Sequence, residues 1–204
     1  MILPFNNLLR QKFYEQIELI FNSNVWTDGN QTREFEKKFS SYVNIPAKTI
    51  SSGGAGLLAI LNYIDIKNKE VIVPTNTFWA STRAIQLAGG IPVFADISKK
   101  DLCITLEEIQ KHVTSKTKAI MLVHIGGHIA FDTLKIVDFC KDNKLYLVED
   151  CAHAHGATWN GIHAGSFGFA GSYSFYATKT MPTGDGGIVV SKNTDFLTII
   201  PIFF

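Results

Sequence analysis

Cysteine is scarce in this sequence. Three residues, Cys103, Cys140 and Cys151, in a chain of 204 make an odd set without CxxC spacing. That excludes a disulfide framework and suits a reducing cytoplasm. Excess charge of either sign is missing too, since 19 basic and 18 acidic residues leave +1. With no basic stretch, nothing points to nucleic acid or an anionic membrane as partner. No apolar run reaches the ~20 residues needed to cross a bilayer. The opening MILPFNNLLRQKFYEQ lacks the charged region, apolar run and cleavage site of a secretory signal. Internal repeats and low-complexity linkers are absent as well.

What is present is a core-forming composition. The chain is 46% hydrophobic, enough for one domain with a buried core and a small appendage. Short β-branched runs alternate with helical stretches. Residues 7–23 and 33–43 read as helices, with Phe35, Phe39, Tyr42 and Val43 on one face. Lys48–Ile50 reads as a short strand that turns at Ser51-Ser52-Gly53-Gly54 into a helix over Ala55–Tyr63. Val71–Val73 is a second strand, closed by Pro74 and followed by a helix through Leu87; Pro92–Ile97 is a third strand. Thr105-Leu106-Glu107-Glu108 has capping-box spacing and starts a helix. Ala119–Val123 reads as a strand, Thr133–Lys141 as a helix and Leu145–Val148 as a strand. Segments 171–177 and 187–191 read as strands separated by a loop too short for a long helix.

Buried strands joined by helical crossovers predict an α/β fold with three layers, α/β/α, around a mainly parallel sheet. Ligands gather at the carboxyl ends of such strands. Ser51–Ala55, Pro74–Trp79, His124–His128 and Asp150–His153 all lie at such ends.

Three segments there carry chemistry. Ser51-Ser52-Gly53-Gly54-Ala55-Gly56-Leu57 turns from strand into helix, and helix-start N–H groups hold phosphate well. Most glycine turns are only turns, so this segment is weak alone. In Leu147-Val148-Glu149-Asp150-Cys151-Ala152-His153-Ala154-His155, an acid follows an apolar strand. Such a carboxylate can keep a pyridine nitrogen protonated, or merely cap the next turn. Asp150, His153 and His155, with His124 and His128, are also metal-ligand types. This segment leaves metal and cofactor readings even. The third segment is Gly171-Ser172-Tyr173-Ser174-Phe175-Tyr176-Ala177-Thr178-Lys179, followed by Gly184-Asp185-Gly186-Gly187. A lysine after an aromatic strand can be partly desolvated. That lowers its pKa and frees a neutral amine for imine formation. A lone lysine is more often a solvated surface residue. Ser174 adds a hydroxyl for a phosphate.

Together these segments resemble the DegT/DnrJ/EryC1/StrS aminotransferases. The matching stretches are SSGGAGLLAIL, EVIVPTNTFWAST, GGIPVFADI, AIMLVHIGGHIAFD, LVEDCAHAHGATWNG, GSFGFAGSYSFYATKTM and GDGGIVVS, in family order from about residue 25 to 191. The resemblance implies a fold type I, aspartate aminotransferase-like large domain and pyridoxal 5'-phosphate (PLP) as cofactor. It implies amino transfer from a donor such as glutamate to a nucleotide-linked keto sugar, in surface polysaccharide or deoxyaminosugar biosynthesis. It places Lys179 as the Schiff-base lysine and Asp150 at the pyridine nitrogen. His153 falls beside the ring hydroxyl, and Ser174 with the backbone of Gly54 and Ala55 at the phosphate. Phe78, or its neighbour Trp79, falls on the ring face. No metal is implied, and His124 takes a structural role. The active site of such enzymes lies at a homodimer interface, near which Trp26 falls.

Two departures stand out. The family commonly has Gly-Thr-(Ala/Ser) where this chain has Gly53-Gly54-Ala55, so weaker PLP binding is expected. Family members also continue into a smaller C-terminal domain. Residues 1–204 are therefore expected to comprise an N-terminal segment and the PLP-binding large domain, without the small domain. The apolar tail from Phe196 to Phe204 does not read like the charged helix the family has next. Two alternatives stay open: an inactive, truncated large-domain fragment, and a PLP-dependent sugar dehydratase. Such dehydratases carry His in place of the lysine.

Overall fold

The computed structural model describes residues 6–203. Helix α1 (Asn7–Ser23) is capped by Asn6, whose Oδ1 accepts the Leu9 N–H at 2.9 Å, and it buries none of its residues. Helix α2 (Asn30–Val43) starts ahead of the expected residue 33 because Gly29, in extended conformation, already serves as its N-cap. Its inward face is narrower than expected: Phe39 and Val43 are buried, whereas Tyr42 is 49% exposed.

The alternating part follows as β1 (Ala47–Ile50), α3 (Gly53–Tyr63), β2 (Glu70–Pro74), α4 (Trp79–Leu87), β3 (Ile91–Ala95), α5 (Leu106–His112), β4 (Thr117–Val123), α6 (Thr133–Asp142) and β5 (Tyr146–Asp150). The chain closes with β6 (Thr158–Trp159), β7 (Ile162–His163), β8 (Ala170–Ser174), β9 (Gly187–Ser191) and α7 (Thr194–Phe203). Thr105 caps α5 as its spacing requires, Oγ1 accepting the Glu108 N–H at 3.2 Å.

Seven strands form one sheet in the order β1-β9-β8-β5-β4-β2-β3. β3, β2, β4, β5 and β8 pair in parallel, and β9 runs antiparallel to both β8 and β1. β1 therefore points the same way as the parallel strands, and only β9 is reversed. The fold is the expected α/β arrangement with a mostly parallel central sheet.

Strand alternation divides the core. Val71, Val73, Ala119, Met121 and Val123 face Leu57, Ile60, Ile85 and Phe196 on one side. Ile72, Ile120, Leu122 and Leu147 face Ile109, Ile136 and Cys140 on the other. A further cluster packs Phe39 and Val43 of α2 on Tyr173, Phe175, Ile188 and Val190. Each buried Leu, Ile or Phe contributes about 1.5–3 kcal/mol.

The tail from Phe196, read as unlike the family's charged helix, belongs to an apolar helix, α7, whose side chains have a surface to cover. Phe196, Leu197 and Ile200 are buried, and the Phe196 ring lies 4.9 Å from Tyr63 and 5.5 Å from Phe169. Phe204 lies outside the described residues. The strand expected over 171–177 ends at Ser174, where Tyr176 and Thr178 turn outward and become exposed. Among the described residues, no helix is long and apolar enough to cross a membrane.

Candidate active site

The carboxyl ends of β1, β2, β4, β5 and β8 open on a cavity of about 680 Å³. Gly54, Ala55, Phe78, Asp150, His153, Ser174 and Lys179 all line it. Residues up to 125 positions apart (54 to 179) thus meet at one sheet edge, as parallel strands require.

One wall is the start of α3. Ser52 caps the helix, its Oγ accepting the Ala55 N–H at 3.1 Å. Gly54, second in the helix, has no intrahelical acceptor for its own N–H. The helix start sits directly on Ser174: a Cβ built on Gly53 would lie 2.9 Å from Ser174 Cβ. Only glycine allows that approach. Gly53, Gly54, Ala55 and Ser174, seated side by side, line one small-walled hollow of the cavity. Ser174 Oγ also accepts the Tyr176 N–H at 3.3 Å.

Asp150 ends β5 and is 7% exposed. Ala152 N–H donates to its Oδ1 at 3.1 Å, and Ser81 Oγ–H donates to its Oδ2 at 2.7 Å. Ser81 also lies 2.7 Å from Thr77 Oγ1. Sequence reasoning missed these two hydroxyls. The available signal was their i, i+4 spacing around the aromatic Phe78-Trp79 pair at a strand end.

Lys179 is half-buried, with its N–H bonded to the Tyr176 carbonyl at 2.8 Å. Its charge reaches His153, whose pKa is lowered first by burial and then by Lys179, with Asp150 opposing. His153 is therefore biased toward the neutral ring. Farther in, His155 lies against Tyr173 and Phe175, and its pKa is pushed down to about 4, chiefly by burial. Phe78 and Trp79 stand at the mouth, 59% and 65% exposed, with ring centroids 5.3 Å apart.

His124 and His128 do not join Asp150 and His153 in one donor set. The His124 ring is buried; its Nδ1 accepts the Ala130 N–H at 3.3 Å, so Nε2 carries the proton and donates to Glu149 Oε2 at 3.0 Å. Glu149, fully buried, also accepts N–H groups of Gly165, Phe167 and Gly168 at 2.7, 2.9 and 2.7 Å. His128 Nε2–H donates to the Asp101 carbonyl at 2.9 Å, with Cys103 Sγ 3.7 Å away. Burial, then Asp101, pushes the Cys103 thiol up to about 11. Among the described residues, the groups whose donor atoms lie within 4.8 Å of one another are Asp101–Cys103–His128 and His124–Glu149–Cys151. Their side chains already bond largely to surrounding backbone groups. Glu149 was also missed, although a carboxylate inside an apolar strand is a visible signal.

Comparison with known proteins places this site in context. The profile of the DegT/DnrJ/EryC1/StrS aminotransferase family matches residues 7–203. GDP-perosamine synthase of Escherichia coli O157:H7 is 40% identical over 167 residues, covering 81% of this chain and 46% of that protein. The solved aminotransferase of Psychrobacter cryohalolentis superposes with a TM-score of 0.88 at 32% identity, covering 97% of this chain and 50% of that one. DesI, solved in the presence of its TDP-sugar product, gives 0.87 at 31% identity over 94% of this chain and 49% of its own. The chain spans about half the length of the curated relatives it matches.

Proposed function

The chain belongs to the DegT/DnrJ/EryC1/StrS aminotransferase family, and on that premise we propose that it forms the PLP-binding domain of a sugar aminotransferase. The full protein takes an amino group from an amino acid, glutamate in our reading, and delivers it to a nucleotide-linked keto sugar. One observation carries this: a single cavity gathers a lysine, a carboxylate, a neutral-biased imidazole, an aromatic face and a glycine-lined helix start.

These residues fit PLP. The cavity wall formed by Gly54, Ala55 and Ser174, small residues with helix-start N–H groups, suits a phosphate. Asp150 and Phe78 suit a flat, cationic ring. When bound, PLP supplies an aldehyde that captures amines and a ring that draws electrons from the donor's Cα.

The protein's own groups do the rest. Gly54 and Ala55 N–H, with Ser174 Oγ–H, orient the phosphate; the Ala55 amide shares its bond with Ser52 Oγ. Asp150 would hold a proton at the ring nitrogen. Phe78 would shield the ring from water. His153, biased toward the neutral ring, would meet the ring hydroxyl. Lys179 Nζ would hold the cofactor's aldehyde carbon and serve as the base that moves a proton at the donor's Cα. A lysine at 179, rather than a histidine, favours transamination over dehydration.

A homodimer completes the reading. Leu8, Leu19, Phe21 and Trp26 are 61, 55, 52 and 67% exposed, and a second copy offers them cover.

The test is spectroscopic. Parent chain mixed with PLP should show imine absorbance that glutamate bleaches, and Lys179→Ala should show neither. Turnover retained by Lys179→Ala refutes the assignment. Bound zinc without imine absorbance refutes the cofactor.

A further inference from the structure

Ser81 lies on α4 and is wholly removed from solvent. A buried hydroxyl is costly unless its hydrogen bonds are made. Many helical serines and threonines satisfy this by bonding back to a carbonyl of the previous turn. Neighbouring Thr82 does so, its Oγ1 donating to the Trp79 carbonyl at 2.9 Å. Ser81 does not. Its Oγ lies 2.7 Å from Asp150 Oδ2 and 2.7 Å from Thr77 Oγ1.

We propose that Ser81, backed by Thr77, is the positioning pair that aims the Asp150 carboxylate at a cationic ring nitrogen. The inference rests on the PLP reading above. A carboxylate can only accept, so Ser81 gives its proton to Asp150, and Thr77 gives its own to Ser81. The chain of donors has one consistent direction and ends on the acid. Aligned hydrogen bonds of this kind polarise one another. With Ala152 N–H on Oδ1 at 3.1 Å, both carboxylate oxygens are pinned. The plane of the group is fixed, and its remaining lone pairs face the cavity.

The same contact ties two walls together. Ser81 and Asp150 are 69 residues apart, one on α4 and one at the end of β5. Thr77 and Ser81 bracket Phe78, whose carbonyl accepts the Ser81 N–H at 3.1 Å. The aromatic face and the carboxylate are therefore held by one short turn. Ser81 does not line the cavity, whereas Thr77 does; Ser81 acts through Asp150, and Thr77 through Ser81.

The test uses the full chain loaded with PLP carrying an isotope label at the ring nitrogen, whose NMR shift reports protonation as pH is varied. Loss of the carboxylate's aim should lower the midpoint of ring-nitrogen protonation in Ser81→Ala by about one pH unit, about tenfold; a raised midpoint, which losing a donor gives when the aim is unchanged, overturns the pair. Ser81→Thr, which keeps the hydroxyl, should return to the parent midpoint. Thr77→Val should move it the same way by less. Parent-like titration in both Ser81→Ala and Thr77→Val overturns the pair while leaving the cofactor reading intact. A parent chain that takes up no PLP overturns the cofactor reading and the pair with it. If Ser81→Ala does not fold, Thr77→Val, at a half-buried position, decides alone.

Discussion

Glu149 and Asp150 are neighbours in one strand, and alternation sends them to opposite faces. Asp150 borders the cavity, whereas Glu149 turns inward to four N–H donors, one of them on His124. Glu149→Ala leaves those donors buried without an acceptor. It should lower unfolding free energy by about 3–5 kcal/mol. An unchanged urea midpoint would contradict this. At the phosphate hollow the opposite change should help. A Cβ built on Gly54 lies 3.5 Å from Ala80 Cβ, ordinary contact, so position 54 has room for the start of a side chain such as that of Gly54→Thr. It adds a hydroxyl at the expected phosphate position and should tighten PLP binding about tenfold, as read by fluorescence titration. Every residue that the resemblance assigned to the cofactor lines the cavity, because each lies at or shortly after the end of a recognisable strand; His128 and His155 do not. Ser81 and Thr77 stayed hidden because their i, i+4 spacing marks a pair of hydroxyls but not their partner, which lies 69 residues away.

Among the elements, α3 has the least room. A Cβ on Gly56 would come 2.2 Å from Ser172 Oγ and 2.8 Å from Val189 Cγ2. Ser172 cannot simply swing away, since its Oγ–H is donated to the Gly53 carbonyl at 2.8 Å. Gly56→Ala must therefore lift the helix from β8 and β9, at a cost of about 1–3 kcal/mol. The α3 start forms the hollow, so PLP affinity should fall in parallel. Stability loss with unchanged affinity would show that the hollow does not depend on helix seating. The parallel strands were legible because they are apolar runs between turn signals. The β6–β7 hairpin was not, since two-residue strands are too short for a period. Helix α7 was left unassigned because an apolar tail has no polar face to mark a helix; only the surface of Tyr63 and Phe169 beneath it reveals one.

At the scale of the whole molecule, pH and surface make separate demands. Burial, aided by the charges of Lys179 and His153, depresses the His155 pKa from 6.5 to about 4. Unfolded chains bind this proton below the upper value, and the folded chain refuses it until the lower one. Stability should therefore be insensitive to this group above pH 6.5, decline as pH falls toward about 4, and level off below that. Denaturant unfolding across that window checks the slope, which His155→Gln should flatten.

The surface sets the last expectation. Helix α1 buries nothing, yet it carries Leu8, Leu19 and Phe21, and Trp26 follows it with its ring 5.0 Å from Phe21. Phe131 and Leu134 are exposed as well, at 58% and 44%. Apolar side chains gathered on an uncovered helix are removed from water most readily by a second copy of the same surface. The chain should therefore self-associate, and its mass by light scattering should rise with concentration. Leu19→Lys with Phe21→Lys should shift it toward monomer without unfolding it, because neither side chain belongs to the core. A parent chain that stays monomeric at high concentration would show that α1 is covered by something other than itself.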